Sequence, residues 1–113
     1  MLARANRVTR SADFRATLRR GRRVPTNNTV IHIAKRENLE PTRFGFIVAK
    51  TVGGAVTRNL VRRRLRASCF DVLDIAGTGM DVVIRALPAS ASASWATLHS
   101  EIAEAITMGM ASA

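Results

Sequence analysis

The stretch from Ala55 to about Ala76 constrains the fold most, because a single helix there must meet two different demands. Val61, Leu65, Ser68 and Val72 recur at spacings of four, three and four, the stripe of a helix that faces a core. At about 100° per residue they fall within roughly 60° of one another. On the same wheel Arg58, Asn59, Arg62, Arg63 and Arg66 share a separate arc of roughly 140°, and Arg64 lies outside it. The helix therefore needs a hydrophobic interior on one side and tolerates a row of guanidiniums on the other. The pairs Arg58/Arg62 and Arg62/Arg66 each cost an isolated helix about 0.2–0.5 kcal/mol, with no acid between them to offset it. A merely solvated face mixes both signs. An uncompensated row points to a polyanion, since the planar guanidinium grips phosphate with two hydrogen bonds. Asn59 adds a donor and an acceptor to that arc.

The charge of the whole chain agrees. Its 113 residues hold 18 basic and 8 acidic groups, a net charge of +10. Residues 1–66 carry 17 of the basic groups against Asp13, Glu37 and Glu40, and residues 67–113 carry only Arg85 against five acids. One compact domain built this way has a basic face and a neutral-to-acidic back, and nucleic acid or an anionic membrane is the natural partner. The apolar side of the helix is committed to the core, which argues against insertion into a membrane surface. No apolar run approaches the ~18 residues of a spanning helix. The lone Cys69 excludes an internal disulfide, and with two histidines it excludes a cysteine-rich zinc site. Met1–Arg10 has no apolar secretory core, although its arginines leave a short organellar presequence as the weaker alternative. A cytoplasmic protein is expected. The length predicts one domain over 1–113, with 1–10 and 109–113 flexible.

Around the arginine helix the pattern predicts an α+β chain: a small β-sheet packed with three helices. Ser11 caps a first helix that carries Asp13 in its first turn, Phe14 and Leu18 on one face, and Gly21 just past its end. Thr29–Ala34 is a β-branched strand with Val30, His32 and Ala34 on one face. Arg43–Lys50 is a second strand, read as the partner of the first in an antiparallel hairpin. A short extra strand is possible near Arg22–Val24. Asp81–Ala86 is a third strand, apolar enough to be covered on both faces. Ser94 caps a last helix whose apolar face is Trp95, Leu98, Ile102 and Ile106. Phe44 and Phe46 share a strand face and are read as core.

Catalysis by the chain itself finds little support. His32, His99 and Lys50 are the only combination that suggests general acid–base chemistry, and no orienting carboxylate accompanies them. Asp71 and Asp74, neighbours on a helix, read as solvated charge. No catalytic residue and no metal ligand is expected on the protein.

The block from Phe44-Gly45-Phe46-Ile47-Val48-Ala49-Lys50 through Thr51-Val52-Gly53-Gly54-Ala55-Val56 to Thr57-Arg58-Asn59-Leu60-Val61-Arg62-Arg63-Arg64-Leu65-Arg66 resembles the signature of the bacterial ribonuclease P protein component. The resemblance extends to Asn6-Arg7-Val8, to Ser11-Ala12-Asp13-Phe14 and to Asp81-Val82-Val83-Ile84. It implies a fold similar to that of certain ribosomal proteins, with a mixed sheet and a left-handed βαβ crossover through the arginine helix. It implies a subunit of a ribozyme whose RNA removes the 5′ leader of precursor tRNA, with Mg²⁺ bound mainly by the RNA and its substrate. The partners implied are that catalytic RNA and precursor tRNA, with no obligate protein partner. Lys50, Arg58, Asn59, Arg62, Arg63 and Arg66 match the RNA-facing positions. Phe14, Leu18 and His32 match the cleft that receives the leader. The sequence departs from the pattern at Leu60, where an arginine is usual, at Leu18 and His32, where rings are common, and at Leu87, where a base is frequent. A structural binder of ribosomal or other RNA sharing the fold is the alternative.

Overall fold

The centre of the run Met80–Ala86, Val82-Val83-Ile84, is apolar toward both sides, and the sheet is assembled around it. The computed structural model describes residues 2–111. In chain order they form α1 (Ser11–Arg20), β1 (Arg22–Pro25), β2 (Thr29–Lys35), β3 (Arg43–Ile47), α2 (Ala55–Asp71), α3 (Leu73–Ala76), β4 (Met80–Ala86) and α4 (Trp95–Ala111). Short 3-10 turns lie at Arg4–Asn6, Lys50–Val52 and Pro88–Ser92. The sheet order is β1-β2-β4-β3. β2 is antiparallel to both β1 and β4, and β3 is parallel to β4.

The expected β2–β3 hairpin does not form. β4 lies between the two strands, because its Val82, Val83 and Ile84 are fully buried and need neighbours on both sides. β3, with glycine at its centre and half-buried ends, takes the edge. Its parallel pairing with β4 requires a long crossover, and α2 supplies it. The short strand near Arg22–Val24 is present as β1.

Alternation along the strands divides the covering helices. Ile31, Ile33, Phe44, Val82 and Ile84 share one core with Val61, Leu65 and Cys69 of α2 and with Leu98, Ile102 and Ile106 of α4. The opposite face carries His32, Val83 and Gly45 in register, and α1 packs there. Gly45 is needed at that place: a Cβ on it would stand 2.5 Å from the ring of Phe14.

Several expectations shift by a turn or a residue. The helix predicted to run to Ala76 breaks at Val72, and the single turn α3 follows, so four helices replace the expected three. Gly77 ends that turn at φ 63°, a conformation suited to glycine. Arg10, not Ser11, is the N-cap of α1, and no side chain caps it. Ser94 does cap α4, its Oγ accepting from the Thr97 amide at 3.1 Å. The segment 1–10, expected to be flexible, is anchored over its described part. Leu2 and Val8 are buried, and the Val8 amide donates to the Phe44 carbonyl at 2.9 Å. α4 runs on to Ala111, through part of the 109–113 tail expected to fray; residues 112–113 lie outside the described residues. A clasp not foreseen from sequence ties α4 to the β1–β2 turn: Thr26 Oγ1 and Asn28 Nδ2 each donate to a different oxygen of Glu101, both at 2.7 Å.

Candidate nucleic-acid interface

α2 is held by its apolar stripe. Val61, Leu65, Ser68 and Val72 are all buried, as the periodicity requires. The outer arc then faces away from the sheet. Asn59 and Arg63 are exposed, and Arg58, Arg62 and Arg66 are half-buried. Lys50 is exposed in the turn that leads to the helix. Arg62 Nη1 donates to Asn59 Oδ1 at 3.1 Å, which orients both groups on the surface. Its Nη2 makes only a long contact of 3.4 Å to the Val48 carbonyl. Arg58 Nε is buried without a partner. Arg64, outside the arc, is used differently: its Nη1 donates to the Ala93 carbonyl at 2.8 Å and tethers the approach to α4.

No carboxylate among the described residues comes within ion-pair distance of any α2 arginine. The ion pairs are elsewhere. Asp81 holds Arg36 and Arg43, Asp13 lies 3.5 Å from Arg43, and Asp71 lies 3.6 Å from His99. The arc therefore keeps its full positive charge for an outside partner.

A cleft of about 210 Å³ adjoins the arc at the β3 edge. Phe14 of α1, Phe46 of β3 and Arg62 and Arg66 of α2 line it, with Arg7 on the N-terminal segment. The structure thus joins Phe14 to the arginine arc, two features the sequence showed only separately. Phe44 is core as expected and also reaches the cleft; Phe46 is half-buried, packs against the same core and lines the cleft as well. Arg7 and Phe46 are not singled out as site residues by the sequence, because what brings Arg7 to the β3 edge is its bridge to Phe44, a long-range pairing that no local pattern shows. Leu18 is half-buried one turn along α1, and His32 is 8% exposed on β2; neither lines this cleft.

His32 sits against Arg23 in the β1–β2 register, and its Nδ1 is buried without a partner. Burial, and then the charges of Arg23 and Arg85, push its pKa below the ordinary value of 6.5. The imidazole is neutral near pH 7. His32 faces the α1 side of the sheet and His99 belongs to α4 on the other side, so the two do not meet as an acid–base pair. Cys69 is fully buried, and burial pushes its thiol well up, which keeps it protonated and inert.

Comparison with known proteins decides between the classes of RNA binder. The ribonuclease P family model matches residues 2–108. A ribonuclease P protein component from Clavibacter michiganensis is 50% identical over 107 residues, covering 95% of each chain. The chain belongs to the ribonuclease P protein family. The fold agrees. The ribonuclease P protein of Staphylococcus aureus, in a mutant described as defective in mRNA degradation activity, superposes with a TM-score of 0.84 at 21% identity, covering 94% of this chain and 89% of that one. The protein from Thermotoga maritima gives 0.80 at 18% identity, covering 90% and 96%. As a ribonuclease P protein component the chain is a subunit of an endoribonuclease holoenzyme that acts in tRNA processing, and its partner is the RNA subunit. No helix among the described residues is long and apolar enough to cross a membrane.

Proposed function

We propose that the outer arc of α2 docks on the RNA subunit and that the cleft at Phe14 receives the single-stranded 5′ leader of precursor tRNA. The observation that carries this reading is the absence of any internal counter-charge on Arg58, Arg62, Arg63 and Arg66 among the described residues. Lys50 and Asn59 extend the docking face at its N-terminal end. Phosphates of the RNA supply the missing negative charge, and released counterions drive association. Phe14 offers a ring to a leader base, and Arg62 and Arg66 line the same cleft beside it. Leu18, one turn along α1, and the neutral His32 of β2 belong to this reading as flanks of the leader path, not as lining of the cleft itself. The protein binds and orients; cleavage belongs to the RNA. Magnesium belongs in this reading mainly to the RNA and its substrate, where phosphates and water supply most of its ligands, and no step of the protein's part runs through the ion. We also propose, from the family resemblance, that the complex works in the cytoplasm without a second protein chain and that the β3–α2–β4 crossover is left-handed.

The test is cleavage of precursor tRNA by the cognate RNA at low Mg²⁺, with and without the protein. Stimulation is expected, together with tighter binding of precursor than of mature tRNA. With four to six phosphate contacts, log K falls against log salt with a slope of roughly −3 to −5. A protein that binds the RNA but neither stimulates cleavage nor prefers precursor is a structural binder instead.

A further inference from the structure

Beside the arginine arc, between α2 and the start of α4, lies a groove of about 590 Å³ that the docking reading does not use. Its walls are Leu60, Ala67 and Phe70 of α2 and Trp95 of α4. Leu60, Phe70 and Trp95 are 40%, 47% and 41% exposed, although the periodicity of α4 had assigned Trp95 to the core. The indole is held rather than loose. His99 lies against it with ring centroids 4.8 Å apart and a 40° tilt, and the Asp71 carboxylate lies 3.6 Å from His99. Arg63 and Arg66 belong both to this groove and to the docking arc.

We propose that this groove holds one unpaired base of the RNA subunit, stacked on Trp95, with the adjoining phosphates on Arg63 and Arg66. The proposal rests on the RNA-docking reading of α2 and extends it to a second kind of contact. Three observations favour a nucleotide over other occupants. The apolar walls alternate with unpaired arginines along one helix face, which is the composition that binds bases by stacking and backbones by charge. The remaining charges are arranged by polarity: Asp71 repels phosphate at one end but accepts from a base amino group, while the arginines lie toward the arc. Arg64 is already occupied by the Ala93 carbonyl and does not compete. A second copy of the chain is disfavoured by the net charge of +10, which opposes self-association. Leu60 gains a reason here. It stands where the family resemblance calls for arginine, and it exchanges a phosphate contact for an apolar wall.

Trp95 is the only tryptophan, so its emission reports on this groove alone. The full chain is titrated with the cognate RNA subunit while tryptophan emission and acrylamide quenching are followed. Saturating RNA is expected to quench the emission and to lower acrylamide access severalfold. Trp95→Ala weakens RNA binding about tenfold with the salt slope unchanged, and Trp95→Phe recovers most of the loss. Melting curves of both variants confirm that they fold. By contrast, Arg58→Ala with Arg62→Ala flattens the salt slope but leaves the residual complex still quenched. Tight RNA binding with unchanged emission and acrylamide access overturns the groove proposal and leaves the docking reading intact. Emission that instead depends on protein concentration without RNA assigns the groove to a protein contact and overturns it too. Failure of the RNA to bind at all removes both readings.

Discussion

Two groups of arginines in this protein have opposite fates. At the start of β4, Asp81 accepts from Arg36 Nη1 at 3.0 Å and from Arg43 Nε and Nη2 at 2.8 and 2.7 Å. Arg36 Nη2 also donates to the carbonyls of Glu40 and Pro41, at 2.8 and 2.7 Å. These guanidiniums are internal staples that fasten the 36–42 connection to the sheet. The hydrogen bonds that Arg43 donates to Asp81 raise its pKa above the ordinary value, so this charge is permanent. On α2 the same residue type has no carboxylate partner among the described residues. Arginine content therefore does not make a binding surface. What makes one is the protein's failure to supply the counter-charge itself.

The contrast breaks most clearly on the α2 side. Arg58→Ala with Arg62→Ala should cost about 1.5–3 kcal/mol of RNA affinity per lost charge-assisted bond and flatten the salt slope by about 2, as filter binding across a salt series would show. Stability should barely change; a large fall in melting temperature would mean that these arginines are staples as well. The opposite result is expected at Asp81. Asp81→Ala removes the carboxylate shared by two partly buried guanidiniums, leaving Arg36 its two carbonyls and Arg43 only the 3.5 Å contact with Asp13, and should destabilise the fold by about 3 kcal/mol in urea unfolding, while the folded fraction still binds RNA. Gly45→Ala drives a methyl group into the Phe14 ring and should cost about 1–3 kcal/mol of stability. Its binding defect should be confined to precursor tRNA, with affinity for the RNA subunit alone unchanged.

The smallest effect concerns His32. Its folded pKa is lowered, so the unfolded chain takes up the proton more readily. Its stabilising contribution is complete above the ordinary value of 6.5 and is lost as pH falls below it. Stability should decline on acidification through that window, and His32→Gln should remove part of the decline. A pH profile unchanged by the substitution would show that burial does not hold the imidazole neutral.

Much of the docking face was legible from local pattern. The stripe Val61–Leu65–Ser68–Val72 and the arc from Arg58 to Arg66 follow from helical periodicity alone, and burial agrees with both. The cleft was only half legible. Phe14 could be named, but its meeting with Phe46, Arg7 and Arg66 depends on three separate elements converging at the β3 edge. Trp95 was misplaced for a related reason. Its spacing from Leu98 and Ile102 is that of a core residue, yet it opens the first turn of α4 and lies at the groove beside α2, 41% exposed.

Periodicity and charge pattern determined that one helix would turn apolar side chains inward and guanidiniums outward, because both depend only on neighbours along the same helix. Strand order was a matter for the tertiary structure. β2 and β3 are adjacent in sequence, yet burying both faces of β4 outweighs the short connection between them, and β4 takes the place between. That insertion makes α2 a crossover along the sheet edge and brings the arginine arc beside Phe14. Which arginines stay free was decided in the same way, by whether the fold delivers a carboxylate to within reach.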